Sequence, residues 1–280
     1  MPQEISYFPG CTLETTAQEN NRSMLVYLHK LGYRLAELPD WNCCGTSSAH
    51  SLNAGLAFDL ACRNLSLAPK GVPLLAACPN CLLRLSEARL KLAQSPEKRA
   101  RYEELFQKPF DPDLRIIHVF DLIDRASEEE IAAIVQKPLS NLRFAAYYGC
   151  MLNRPVSLAR TRKYHGFLER VLEKHGAAPV PWSDGSLCCG TFLTVARPEV
   201  VTPMVDHIFT SAAKAGAQCI VTACAMCHMN LEVRVTVKNK IPVLHFSELL
   251  AIAAGSAGAD RWFSRHLIDP RPLFRSLNLL

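Results

Sequence analysis

The chain has 280 residues, of which 49% are hydrophobic and 20% are charged, and this balance excludes a disordered or collagen-like protein. Its formal net charge of +5 is distributed over the whole chain, which argues against the concentrated basic patch of a nucleic-acid-binding protein. We see no signal peptide and no run of about 20 apolar residues, so we expect a cytoplasmic protein whose twelve cysteines serve metal or redox chemistry.

Short strands alternate with helices along the first part of the chain. In chain order, the pattern predicts a strand at residues 5–8, a helix at 15–31, strands at 34–38 and 72–77 with a helix between them at about 52–65, and a helix from Cys81 through Leu90. Residues 95–113 are rich in charge and proline and are predicted as a surface excursion, followed by a strand at 115–120. The alternation predicts an α/β fold with largely parallel sheets flanked by helices.

Ten of the twelve cysteines occur in two sets with the same order and similar spacing. The first set is Cys11, Cys43, Cys44, Cys78 and Cys81, and the second set is Cys150, Cys188, Cys189, Cys224 and Cys227. The sequences around them repeat as well, because residues 5–11, 74–78 and 117–122 resemble residues 144–150, 220–224 and 244–249. An internal duplication of about 140 residues explains these matches.

The duplication defines the predicted domain organisation. We expect a first unit at residues 1–125 and a second, pseudo-symmetric unit at 143–255, with residues 126–142 as the connection. Residues 256–280 form a C-terminal tail that mixes aromatic, basic and aliphatic side chains. Because a lone chain rarely leaves so much apolar surface exposed, we expect this tail to dock a partner protein.

Each cysteine group follows a predicted strand or lies in a loop bounded by glycine. The loops after parallel strands meet at one edge of a sheet, so we expect the five thiols of each unit to meet there. A CxxC motif that opens a helix places its thiolates beside free backbone N–H groups, which suits metal binding. Gly45 and Gly190 follow the two Cys-Cys pairs and are expected to permit the bend that turns both thiols toward one site.

The number of thiols in each set distinguishes between kinds of metal site. A structural zinc ion and a cubane iron–sulfur cluster each take four cysteines, so either would leave one thiolate of the five unused. A polynuclear iron–sulfur site with a bridging thiolate would use all five, and zinc in one or both sets remains the alternative. Cys62 and Cys219 have no counterparts in the repeat and are expected to be inert buried thiols.

The repeated pattern of Gly-Cys, Cys-Cys-Gly and CxxC resembles that of the tandem CCG-domain family. More narrowly, the chain is similar to the CCG-bearing subunit of heterodisulfide reductase and its bacterial relatives in sulfur metabolism, from about Glu4 to Leu250. The resemblance implies that each set of five cysteines holds a non-cubane 4Fe-4S cluster, and that a disulfide is cleaved, or formed in reverse, in a cavity between the two clusters. It also implies an oxidoreductase that is active only with two partners, one a ferredoxin-like iron–sulfur subunit and the other a flavin-containing subunit.

Substrate, direction and the role of the chain stay open at this point. The substrate class is a disulfide, a thiol or a persulfide. A different possibility is a non-catalytic electron-relay or scaffold subunit of a complex that oxidises lactate, glycolate or succinate, and a third is a zinc-stabilised interaction module. Five complete ligands in both units favour the catalytic subunit, because cleavage between two clusters needs both sites.

Two further side chains are weaker candidates for the catalytic site. Arg154 lies four residues after Cys150, where its guanidinium would be able to bind an anionic substrate such as a sulfonate or carboxylate. His228 directly follows Cys227, where its ring would be able to donate to a cluster sulfur or a substrate thiolate.

Overall fold

A computed structural model describes residues 3–155 and 164–280 as two α/β units, each built on a four-stranded parallel sheet. The strands are β1 (Gln3–Phe8), β2 (Tyr33–Glu37), β3 (Leu74–Ala76), β4 (Ile116–Ile117), β5 (Arg143–Tyr147), β6 (Ala178–Pro179), β7 (Cys219–Thr222) and β8 (Val243–His245). The first sheet has the order β2-β1-β3-β4 and the second has the order β6-β5-β7-β8. The predicted fold class is therefore confirmed, and the identical strand orders agree with a duplicated unit.

Helices connect the strands in both units. In the first half and the connection they are α1 (Cys11–Glu14), α2 (Gln18–Lys30), α3 (Ser48–Leu52), α4 (Ala54–Leu67), α5 (Pro79–Gln94), α6 (Pro96–Phe106), α7 (Val119–Ile123) and α8 (Glu128–Ile134). In the second half they are α9 (Cys150–Asn153), α10 (Phe167–Lys174), α11 (Pro198–Lys214), α12 (Ala225–Arg234), α13 (Phe246–Ala253), α14 (Ala259–Phe263) and α15 (Arg271–Ser276), with a 3₁₀ helix at Thr191–Leu193. Each sheet is thus flanked by helices, as the alternating pattern predicts.

One hydrophobic core cluster spans both units, and a second cluster lies within the second unit. Phe120, at the start of α7, stacks on Phe167 at a ring-centroid distance of 4.2 Å and meets Phe246 edge-on at 5.0 Å. Helix α2 of the first unit packs along α13 of the second, and Ser23 and Ser247 hydrogen bond across this contact at 2.7 Å. This shared core holds the two sheets in a fixed mutual arrangement.

Two elements of the first unit differ from the sequence predictions. The predicted strand at 115–120 was wrong beyond Ile117, because the Asp121 carboxylate accepts a hydrogen bond from His118 N and the resulting capping box starts helix α7. The charged stretch at 95–113 contains helix α6, which begins where Ser95 Oγ accepts from Lys98 N and Pro96 occupies the first turn. Local capping geometry, which hydrophobic periodicity does not record, therefore decides both segments.

The C-terminal tail packs against its own chain. Phe263 and Phe274 are fully buried, their rings lie 5.0 Å apart, and Trp262 and Leu279 are also buried. Leu267 and Leu280 are exceptions, with 68% and 39% of their surfaces exposed. Most of the apolar surface on which the predicted docking of a partner depended is therefore buried within the chain itself.

Candidate functional site

The first set of thiols lies at the carboxyl edge of the first sheet. Cys11 opens α1 directly after β1, and the Cys43-Cys44 pair lies in the loop that follows β2. Cys78 follows β3 as the N-cap of α5, and Cys81 lies in the first turn of that helix. Parallel strands end at one edge of the sheet, so three separate stretches of chain bring five thiols together, as predicted.

Sulfur–sulfur distances in the first set show how closely the thiols approach. Cys43 Sγ lies 3.7 Å from Cys11 Sγ, and Cys44 Sγ lies 3.2 Å from Cys81 Sγ. Cys44 and Cys81 are buried with Cys78, whereas Cys11 is exposed. The first set therefore has three buried thiols and is open to the surface at Cys11.

The second set repeats this arrangement at the carboxyl edge of the second sheet. Cys189 Sγ lies 3.4 Å from Cys227 Sγ, and the thiols of Cys150 and Cys188 are hydrogen bonded to each other. Cys188 Sγ also accepts a hydrogen bond from Gly190 N at 3.3 Å. The pairing of the thiols is thus the same in the two units.

Two glycines make room for the thiols of the CxxC motifs. A Cβ atom built on Gly10 would lie 3.0 Å from Cys81 Sγ, and one built on Gly149 would lie 3.0 Å from Cys227 Sγ. Both glycines also have positive φ angles, which disfavour any residue with a side chain. The predicted glycine bend after each Cys-Cys pair is confirmed as well, since Gly45 and Gly190 have φ angles of 76° and 77°.

The two sets of thiols meet at the contact between the units. The Cys78 and Cys224 thiols belong to different CxxC motifs but lie near enough that Cys224 lowers the pKa of Cys78 and Cys78 raises that of Cys224. Asn80 Nδ2 lies 3.4 Å from Met226 Sδ, so the middle residues of the two motifs touch as well. A cavity beside the second set is lined by thiols of that set and by Asn80, Met151 and Phe192. Groups from both units therefore border one space.

In two equivalent thiol pairs, Cys11 with Cys43 and Cys150 with Cys188, one thiol ionises more readily than the other. Hydrogen bonds from Cys11 and Cys44 outweigh burial and lower the pKa of Cys43 to about 2. The same contact between Cys11 and Cys43 raises the pKa of Cys11. In the second set, the hydrogen bond from Cys150 outweighs burial and lowers the pKa of Cys188 to about 6. Each pair therefore favours one thiolate beside one thiol that keeps its proton. A metal ion that binds both sulfurs displaces that proton.

The chemistry of the donors fits an iron–sulfur group. Thiolate sulfur is the ligand type that iron–sulfur clusters use, and each set offers five such donors at the carboxyl edge of one sheet. Cys62 and Cys219 lie outside both sets and are buried; burial raises the pKa of Cys62 to about 12 and raises that of Cys219 as well. The division into ten clustered thiols and two separate ones is therefore seen in the structure.

Arg154 and His228 are placed differently with respect to the thiols. Arg154 is exposed, and its charge contributes to lowering the pKa of Cys188, which puts the guanidinium beside the second set. His228 is buried, with Nδ1 at 3.0 Å from Asn20 Nδ2 and Nε2 at 3.8 Å from Glu232 Oε1. The two ring nitrogens of His228 thus contact Asn20 and Glu232, and its interaction with a cluster sulfur stays a prediction.

Buried asparagines that the sequence interpretation missed hold the Cys-Cys loops in place. Asn230 Nδ2 donates to Cys189 O at 2.6 Å in the second unit. In the first unit, Asn64 accepts from Asn42 N at 2.9 Å and donates to Asn42 O at 2.8 Å. An asparagine at an otherwise apolar helix position was the available signal, because a buried amide needs hydrogen-bond partners.

A family model for the CCG cysteine-rich domain matches the sequence twice, at residues 5–86 and 144–232. The chain therefore belongs to this family, and both matches contain one set of five cysteines.

Several curated proteins are similar along most of the chain. A protein named 8-methylmenaquinol:fumarate reductase membrane anchor subunit, from Wolinella succinogenes, is 29% identical over 98% of this chain and its own full length. A protein named as a subunit of a ferredoxin/F420H2-dependent CoB-CoM heterodisulfide reductase, from Methanosarcina acetivorans, is 27% identical over 90% of this chain and 89% of its own. A probable glycolate oxidase iron-sulfur subunit from Bacillus subtilis is 24% identical over 91% of this chain and 56% of its own.

One solved structure supports the fold. A hypothetical protein from Helicobacter pylori superposes with a TM-score of 0.74 at 16% identity, and the match covers 95% of this chain and 52% of that one. Within residues 3–155 and 164–280, no helix is both long enough and apolar enough to cross a membrane. The chain is thus a member of a family whose named relatives are iron–sulfur and reductase subunits.

Proposed function

We propose that this chain is the iron–sulfur catalytic subunit of a heterodisulfide-reductase-like complex, with a non-cubane 4Fe-4S cluster in each set of five cysteines. The observation that carries the proposal is the contact between Cys78 and Cys224, which joins two complete sets of thiols at one interface. Two adjacent sites offer one place for each sulfur of a disulfide. Cleavage of the S–S bond takes up two electrons and two protons and releases two thiols, and the clusters, when bound, supply the electrons one at a time.

The number of donors supports clusters over zinc. A structural zinc ion takes four ligands, and its site would leave one of the five thiols unused in each unit. Five thiols in both units match a polynuclear site with a bridging thiolate in each. The relatives named as heterodisulfide reductase subunits agree with this assignment.

The surrounding residues suit a thiol-bearing organic substrate. Met151 and Phe192 give the cavity apolar walls, and exposed Arg154 offers a cation beside Cys188 for a sulfonate or carboxylate on the substrate. The electrons come from partners, because Cys62 and Cys219 are buried in the core outside both sets and provide no third cluster. We assign the supply to a ferredoxin-like iron–sulfur subunit together with a flavin-containing subunit.

A second candidate function is electron relay without sulfur chemistry. Relatives named as a glycolate oxidase iron-sulfur subunit and as lactate utilization protein A favour it, as does the relative named as part of a quinol:fumarate reductase. A relay protein passes electrons between partners and does not bind a disulfide. Thiol binding therefore separates the two functions.

The test is electron paramagnetic resonance of the anaerobically purified full chain, oxidised and then titrated with thiols. The probes are 2-mercaptoethanesulfonate, cysteine, glutathione and 2-mercaptoethanol. We expect a paramagnetic signal that depends on thiol and that changes in both Cys44→Ser and Cys189→Ser. A chain that contains iron but shows no thiol-dependent signal with any of the four probes contradicts the catalytic role and favours the relay.

A further inference from the structure

A cluster of buried imidazole and carboxylate groups lies next to the second set of thiols. It consists of His228 and Glu232 on helix α12, Glu248 on α13, and His266 in the C-terminal tail. All four side chains are at least 95% buried. We refer to these four residues as the His–Glu cluster.

Three atoms of the His–Glu cluster have no hydrogen-bond partner within the described parts of the chain. They are His228 Nε2, Glu232 Oε1 and His266 Nδ1. Glu232 Oε1 lies 3.8 Å from His228 Nε2 and 3.2 Å from His266 Nδ1, so both nitrogens border the same oxygen. One donor atom from each of His228, Glu248 and His266 also lies within 4.8 Å of the others. Buried polar atoms left unpaired are costly, and here two unpaired nitrogens border one unpaired oxygen.

The opposite side of each group is held in place. His266 Nε2 lies 2.8 Å from Glu248 Oε1, and Glu232 Oε2 accepts from Leu267 N at 2.9 Å. His228 Nδ1 lies 3.0 Å from the amide of Asn20. A histidine that binds a metal through one nitrogen usually has the other fixed by a carboxylate, carbonyl or amide, so this pattern is typical of metal ligands and their supporting groups.

The orientation of the Asn20 amide is consistent with a lone pair on His228 Nε2. Asn20 Oδ1 has no hydrogen-bond partner among the described residues while Nδ2 faces the ring. Rotating the amide by half a turn lets Oδ1 accept a proton from His228 Nδ1, and oxygen and nitrogen positions of an amide are assigned from such networks. The neutral ring then has its lone pair on Nε2, toward Glu232.

The charges of the His–Glu cluster call for a cation. Glu232 and Glu248 are two buried carboxylates, and the ion pairs described for them are with histidines, whereas nearby Arg265 pairs with Glu19 at 2.8 Å. Without a metal ion, burial opposes an imidazolium at His266, but the carboxylates outweigh it and raise the pKa of His266 to about 10. That protonated form still leaves His228 Nε2 without a hydrogen-bond partner.

We propose that His228 Nε2, Glu232 Oε1 and His266 Nδ1 bind one divalent transition-metal ion of the zinc class, with Glu248 orienting His266. Zinc bonds of about 2.0–2.2 Å in tetrahedral geometry separate ligand atoms by roughly 3.3–3.6 Å. The distances from Glu232 Oε1 to the two histidine nitrogens, 3.2 and 3.8 Å, lie close to this range. The fourth position is taken by water. The ion fastens the C-terminal tail to helix α12, which also carries Cys227.

This site is separate from the cysteine sites in its ligands, and X-ray absorption distinguishes the two. Zinc bound to nitrogen and oxygen has its first shell near 2.0–2.1 Å, whereas zinc bound to thiolates has it near 2.3 Å. The measurement uses the anaerobically purified, full-length chain with its iron in place, incubated with Zn²⁺ and then freed of loosely bound metal. We expect about one zinc ion per chain with a shell of nitrogen and oxygen only.

Variants then assign the ligands. His266→Gln and Glu232→Gln are each expected to lower the affinity for Zn²⁺ by at least about tenfold, with unchanged iron content. The matched control is Arg265→Gln, next to His266, which removes the ion pair with Glu19 but no ligand and is expected to keep the zinc. Because the wild-type absorption spectrum is informative by itself, the test does not depend on the variants folding.

Two results would overturn the metal site. One is a chain that retains no zinc after incubation, which leaves His266 as an imidazolium between carboxylates. The other is zinc with a sulfur shell that is unaffected by His266→Gln. A chain without iron, but with zinc in a nitrogen and oxygen shell, contradicts the proposed function and supports the metal site. The experiment therefore distinguishes failure of the proposed function from failure of the metal site.

Discussion

The two units bind their thiols alike but surround them differently. Cys78 and Cys224 occupy equivalent positions in the repeat. The same alignment pairs Leu82 with His228 and Arg84 with Asn230. Leu82 is fully buried in apolar surroundings, whereas His228 belongs to the His–Glu cluster. The thiols are thus the repeated feature, and the polar groups behind them are particular to the second unit.

The capping boxes show the same divergence from a common origin. Asp121 and Glu248 each accept a hydrogen bond from the backbone N–H of the histidine three residues earlier. The Asp121 carboxylate also accepts from Tyr164 Oη at 3.0 Å, while Glu248 holds His266 of the tail. The same backbone device therefore supports an aromatic contact in one unit and a polar cluster in the other.

Removing one thiol from either set is expected to have the largest effect. Cys44→Ala and Cys189→Ala each delete a ligand, so each should lower the iron content from about eight to about four per chain. Iron and acid-labile sulfide analysis measures this loss. The matched control is Cys62→Ala, a buried cysteine outside both sets, which should keep all the iron. Equal iron in all three variants would contradict the assignment of the ligands.

Substituting the glycines that face the CxxC thiols should have the next largest effect. Gly10→Ala and Gly149→Ala place a methyl group 3.0 Å from Cys81 Sγ and Cys227 Sγ, in addition to the strain of a positive φ angle. Gly32→Ala carries only the strain, because no atom lies within 4 Å of its added Cβ, and should cost about 1–2 kcal/mol of stability.

Iron content and unfolding midpoints separate these contributions. All three alanine variants should unfold at lower denaturant concentration than the wild type. Only the two that approach thiols should lose iron, each from its own unit. Iron loss in Gly32→Ala to the same extent would mean that strain, and not contact with sulfur, is the cause.

The asparagines behind the Cys-Cys loops offer a smaller test of the comparison. Asn230→Leu removes the hydrogen bond to Cys189 O and leaves a buried carbonyl unpaired, which should cost about 1–3 kcal/mol. In the first unit, Asn64→Leu removes the two hydrogen bonds to the Asn42 backbone and should cost a similar amount of stability. Denaturant unfolding of the iron-loaded chain measures both. A neutral effect of Asn230→Leu would show that the second loop is held by its thiols alone.

Arg154 should give the smallest effect. Because its side chain is exposed, Arg154→Ala should weaken the binding of 2-mercaptoethanesulfonate only about two- to fivefold, with no change for neutral 2-mercaptoethanol. Thiol titrations followed by the paramagnetic signal provide the comparison, and Arg154→Lys should restore most of the binding. Equal weakening for both thiols would rule out recognition of the anionic group.

The sequence predicted the parts of the molecule that repeat. Two copies of one cysteine pattern were enough to infer two parallel sheets and the convergence of each set of thiols, because loops after parallel strands meet at one edge. It did not predict helix α7, which depends on the capping box at His118, or the burial of Phe263 and Phe274 in the tail.

Contacts between the units escaped the sequence interpretation for a physical reason. The pairs Asn20 with His228 and Cys78 with Cys224 join residues far apart in the chain, and no spacing rule connects them. His266 lies in a segment without hydrophobic period and acquires its role only when the tail folds over helix α12. Such contacts are set by tertiary packing, which local patterns do not encode.

The central claim is that both sets of five thiols hold iron–sulfur clusters. Its most direct test is the quantification of iron, acid-labile sulfide and zinc in the full chain purified without oxygen. The account predicts about eight irons and eight sulfides per chain. Two sulfur-bound zinc ions with no iron would contradict it, because each four-thiolate zinc site occupies the place of a cluster.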